Sequence, residues 1–141
     1  MKRIFISITL FTYLQVLLPQ GSFNTGSAEL DADLYMINTN AKKDLATFKS
    51  DLSNGFGIEV TTMENMMGLG MEPAEVYLSL EIASASRSSI NNVVTSYRLN
   101  KGKGWGLVAK EMGIWPDSNE FIALKNKCRS QKDKTYGSGS K

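Results

Sequence analysis

From Leu30 the apolar positions fall at Leu34, Ile37, Ala41, Leu45, Phe48, Leu52 and Phe56, in steps of four, three, four, four, three, four and four. That spacing keeps one face of a helix apolar and predicts a single long helix over this stretch. Lys42, Lys43, Lys49 and Asp51 fall off the stripe, and Asn54-Gly55 supplies a left-handed residue expected to end it. Asn38, Thr39 and Asn40 are weak helix formers, so packing rather than propensity must hold the middle turn. The stripe is read as burial against the rest of the domain; its polar face mixes signs, where a membrane-surface helix would be strongly basic.

Phe56 to Val60 reads as a short connector. Thr61 and Glu64 stand at capping-box spacing and open a brief helix through Met63, Met66, Met67 and Leu69, broken by Gly68 and Gly70. Four methionines here, with Met71, could suit a soft metal, but helical spacing favours adaptable core filling, and no metal or other cofactor is expected. Glu72-Pro73 starts the next helix, which buries Val76, Tyr77, Leu80 and Ala83. Ser88 can cap a following helix with Ile90, Val93, Val94 and Tyr97 inward, giving a helical hairpin. After Trp115-Pro116-Asp117 a last helix carries Phe121, Ile122 and Leu124 inward, and the polar segment from Arg129 to Lys141 is expected to be disordered. Alternating strand patterns do not occur, so the fold class expected is all-α: a single domain with one long N-terminal helix packed on two helix hairpins.

Met1-Lys2-Arg3 followed by the apolar run Ile4 to Leu18 has the layout of a secretory leader. The run falls short of the roughly 20 apolar residues needed to span a bilayer, so no membrane span is expected once the leader is removed. Gly26-Ser27-Ala28 offers the favoured cleavage point, with Gly21-Ser22 the alternative. The organisation expected is therefore a signal peptide over 1–28, a helical domain over 29–128 and a basic tail over 129–141, in a periplasmic or secreted protein.

Composition narrows the chemistry. The chain contains no histidine, which excludes every mechanism built on imidazole. Its single cysteine, Cys128, cannot form an internal disulfide, and among charged neighbours it is read as a free thiol in preference to an intermolecular link. No paired carboxylates, activated nucleophile or metal-ligand set stands at a useful spacing, so a non-enzyme is expected. Charge is divided: from Glu29 to Tyr97 ten acids face four bases, and from Arg98 to Lys141 ten bases face four acids. The halves either attract each other or the second meets an anionic partner.

Lys101 to Ile114 is the most distinctive text, a glycine-rich turn opening a short helix that Gly113 closes. Three readings apply. Gly102, Gly104 and Gly106 ahead of a helix start, flanked by Lys101 and Lys103, could bind a phosphate or other anion, although no nucleotide motif is matched. Ala109, Gly113 and Ile114, with Val108 and Met112, follow the first helix and turn of a DNA-binding helix-turn-helix, but Asn119 and Trp115-Pro116 depart from its second half, so nucleic acid is disfavoured. The preferred reading is structural, with the glycines permitting close helix contact and Trp105 filling the core. Lys101, Lys103, Trp105 and Lys110 are the candidate contact residues for a protein partner or an anionic ligand.

Glu75-Val76-Tyr77-Leu78, Val93 to Tyr97, Gly102-Lys103-Gly104-Trp105-Gly106, Ala109 to Ile114 and Glu120 to Lys125 together resemble a segment of small exported helical bacterial proteins, over roughly residues 72–127. The resemblance implies a bacterial origin and export, and carries over no catalytic residue. The function expected is an exported, non-catalytic helical interaction or structural module.

Overall fold

The computed structural model describes residues 23–137. The expected leader from Met1 to Leu18 and the last four residues of the tail lie outside the described residues. Among the described residues the chain forms seven helices and no strand: α1 Ala28–Ala41, α2 Leu45–Phe56, α3 Val60–Gly68, α4 Pro73–Ser86, α5 Ile90–Leu99, α6 Trp105–Glu111 and α7 Asn119–Gly137. The all-α class is as expected; the arrangement differs in several places.

The long first helix is two. The apolar stripe keeps its phase, with Leu30, Leu34, Ile37, Ala41, Phe48 and Leu52 all buried, but the backbone breaks at Lys42–Asp44. Asp44 is the cause: its Oδ1 accepts the Thr47 N–H at 3.1 Å and starts α2 afresh, satisfying a donor that a continuous helix would have used internally. The exposed cap hydrogen bonds hold the Asp44 carboxyl below its usual range. α2 then runs through Asn54-Gly55 and ends at Gly57, whose φ of 64° is the left-handed stop. α3 begins at Val60 after Glu59, earlier than the Thr61 start expected.

α4 is the hub. Pro73 occupies its first turn, and the Glu75 Oε2 accepts the Glu72 N–H at 2.8 Å. Ala74, Val76, Tyr77, Leu78, Ser79, Leu80, Glu81 and Ile82 are buried on all sides, because α1, α2, α3, α5 and α7 each pack against it. The Tyr77 ring meets Phe56 edge-on at 6.2 Å, tying α2 to this helix. Arg87 turns the chain at φ 55°, and Ser89, one residue later than expected, caps α5 through the Asn92 N–H. Met63, Met66 and Met71 are buried in the same core and Met67 packs against it, which is the core-filling role.

The last helix starts at Asn119 behind Ser118, not at Trp115-Pro116, and Ile122 faces outward while Phe121 and Leu124 face in. The expected disorder from Arg129 does not hold through Gly137. α7 lies along α1, where Arg129 pairs with Glu29, Lys125 Nζ stands 3.0 Å from the same carboxylate, and Lys132 Nζ stands 2.9 Å from Asp33 Oδ1. The acids that order this basic segment lie about a hundred positions away in sequence, so composition along the segment could not reveal them.

The residues just ahead of α1 also pack on the helices. Phe23 and Thr25 are buried, and Asp31 Oδ1 accepts from both the Thr25 hydroxyl at 2.7 Å and the Thr25 N–H at 3.0 Å.

Candidate functional site

The glycine-rich turn is built around Trp105. Its indole is 3% exposed, stacks on the Tyr97 ring at 5.2 Å, and donates its Nε1–H to Glu75 Oε1 at 3.0 Å. An indole needs one polar partner when buried, and Glu75 supplies it from α4 while also capping that helix. Burial, followed by the charges of Glu75 and Glu72, pushes the Tyr97 hydroxyl up. On the far side, Glu111 accepts from the Ser96 hydroxyl and from Asn100 Nδ2, fixing α6 to α5.

The glycines admit the N-terminal segment. A Cβ on Gly104, whose φ is 94°, would lie 2.6 Å from Asn24 Cβ and 2.8 Å from its carbonyl oxygen; one on Gly106 would lie 2.9 Å from the Thr25 carbonyl oxygen. In the space so left, the Trp105 N–H donates to the Phe23 carbonyl at 2.9 Å and the Gly106 N–H to the Asn24 carbonyl at 3.0 Å. Two of the first amides of α6 are therefore occupied by the chain itself, which takes two donors from the phosphate-cradle reading. A small cavity of about 450 Å³ remains between Phe23, Glu75, Tyr97, Lys101 and Trp105.

The helix-turn-helix reading fails on geometry. Residues 112–118 separate α6 from α7, seven in place of the usual three or four, and α7 packs on α1 and α4.

Of the four candidate contact residues, Lys101, Lys103 and Lys110 are exposed, whereas Trp105 is in the core and withdrawn from any partner. What sequence reading missed is how the bases of the second half divide. Lys125, Lys127, Arg129 and Lys132 pair with Glu29, Asp33 and Glu81 of the first half. Arg98, Lys101, Lys103 and Lys110 are exposed, and among the described residues none has a carboxylate within the 4.0 Å of an ion pair. Leu99, 76% exposed, lies within this run.

A second concavity lies between α2, α4 and α7, a cleft of about 1000 Å³. Tyr77 and Glu81 form part of its floor; the Tyr77 hydroxyl donates to Glu81 Oε1 at 3.0 Å, and Lys127 Nζ lies 2.9 Å from Glu81 Oε2. Burial, then the charges of Cys128 and Glu81, pushes the Tyr77 hydroxyl far up, and burial does the same to the Cys128 thiol, so both stay neutral. Asn40, at the α1–α2 elbow, lines the same cleft.

Among the described residues no helix is long and apolar enough to cross a membrane. No family model matches this chain, and no curated protein or solved structure shows significant similarity to it.

Proposed function

We propose that this protein is an exported, non-catalytic helical interaction module of bacterial origin that meets an acidic protein through the turn between α5 and α6. The observation that carries the reading is the division of the bases: four face the molecule's own acids, and Arg98, Lys101, Lys103 and Lys110 face solvent with Leu99 among them. Unpaired exposed cations steer an anionic partner with little cost of desolvation, and a large exposed apolar residue beside them adds contact area. Trp105 serves this surface from beneath by fixing the turn.

The test is titration of a fluorescent poly-glutamate peptide, followed by anisotropy, at low and high salt. Saturable, salt-sensitive binding that Lys101→Glu/Lys103→Glu abolishes supports the reading. Tighter binding of duplex DNA than of the peptide, lost in the same variant, would replace it with nucleic-acid recognition.

A further inference from the structure

The segment ahead of α1 joins the glycine-rich turn to the first helix. Phe23 is 6% and Thr25 4% exposed, and the Phe23 and Asn24 carbonyls accept from the Trp105 and Gly106 amides. The Thr25 hydroxyl accepts the Ser27 N–H at 3.2 Å, and Ser27 Oγ accepts the Leu30 N–H at 3.3 Å, so the same segment caps α1.

Gly106 records what the turn is shaped to receive. Gly104 sits at φ 94°, a backbone that calls for glycine whatever lies beside it. Gly106 has no positive φ and lies within α6, where alanine is the better helix former. A Cβ there would stand 2.9 Å from the Thr25 carbonyl oxygen, so the absent side chain makes room for Thr25.

A leader cut after Ala28 would remove this whole segment and leave a helix without its cap. It would also put an ammonium on Glu29 in the first turn of α1, where the helix dipole disfavours positive charge and Lys125 and Arg129 already crowd the Glu29 carboxylate.

We propose that the leader is instead cut ahead of Phe23, at Gly21-Ser22, and that Phe23 to Ala28 stay on the mature protein as the filling of the glycine turn. The step is hydrolysis by a leader peptidase: one water splits the peptide bond after Gly21 or after Ser22, leaving a carboxylate on the leader and an ammonium on the mature chain. Gly21 and Ser22 lie outside the described residues; in sequence they follow Pro19-Gln20 directly behind the apolar run, and they are small, as such a cut requires. The inference rests on the export argued above and adds where processing falls.

The full chain with its own leader is expressed in a bacterium, and the exported product is read by N-terminal sequencing and intact mass. A product beginning at Ser22 or Phe23 is expected. A product beginning at Asn24 or later, or an exported chain that keeps its leader, overturns the cut while leaving export standing; an unprocessed chain confined to the cytoplasm overturns both. Gly106→Ala, made in the same full chain, gives a second readout in the sign of the shift in melting temperature of the exported product. With Thr25 in place the new methyl meets its carbonyl and the melting temperature falls. An unchanged or raised melting temperature, as helix propensity alone would give, would overturn the proposal.

Discussion

The second half of the chain holds two sets of bases that look alike in sequence and have opposite fates. Along α7, Arg129 and Lys132 are drawn onto Glu29 and Asp33 of α1, and the Asp33 side chain is only 10% exposed in that contact. Around the α5–α6 turn, Lys101 and Lys103 are exposed and, among the described residues, have no carboxylate within ion-pair distance. The difference lies in register. α7 repeats its bases at helical spacing opposite a helix that repeats its acids at the same spacing, Glu29 and Asp33 being one turn apart. The turn has no such facing helix. A charge asymmetry along a sequence is thus neither wholly internal nor wholly a partner's signal; geometry apportions it.

The largest expected effect is on the support beneath the turn. Trp105→Ala removes an indole buried against Tyr97 and leaves Glu75 Oε1 without its donor, at a cost of about 3–5 kcal/mol in urea unfolding. Gly104→Ala combines a positive φ with a Cβ driven against Asn24 and is expected to cost roughly 2–4 kcal/mol. Next comes the α1–α7 seam: Asp33→Asn takes the charge from a largely buried partner of Lys132 and lowers stability by about 1–3 kcal/mol. If it proved neutral, the seam would be no different in kind from the turn.

The pH dependence sharpens the same contrast on the α1–α4 side. The Lys42 ammonium, assisted by Asn38, holds the Glu72 carboxyl below its ordinary 4.5. A depressed carboxyl stabilises the fold fully above the unfolded value and loses that contribution as pH falls through the lower, folded one. Melting temperature should therefore fall on acidification below about pH 4.5, less steeply in Glu72→Gln.

Much of this fold was legible in order of residues. The stripe from Leu30 to Phe56 named the right buried face, and Trp105 was rightly assigned to the core. The break at Asp44 was hidden because the stripe stays in phase across it, so periodicity carries no sign of the elbow; only Asp44 ahead of Leu45, with weak helix formers just before, hinted at a new start. The ordering of α7 was invisible locally, since its partners are a hundred residues distant. The packing of Phe23 to Thr25 on the turn has no signal in those residues themselves; its only trace in the sequence is Gly104 and Gly106, where a Cβ would meet Asn24 and Thr25. The cleft was out of reach for the same reason as the elbow, because Asn40 lines it only once α1 and α2 separate.

The most direct test sets the two groups of bases against each other in one experiment. Lys101→Glu/Lys103→Glu and Lys125→Glu/Arg129→Glu are compared for melting temperature and for poly-glutamate binding. The turn variant should keep stability within about 0.5 kcal/mol and lose binding, while the α7 variant loses stability and, at a temperature where it is folded, retains binding. A turn variant that binds as tightly as the parent protein would contradict the assignment of the α5–α6 turn as the contact surface.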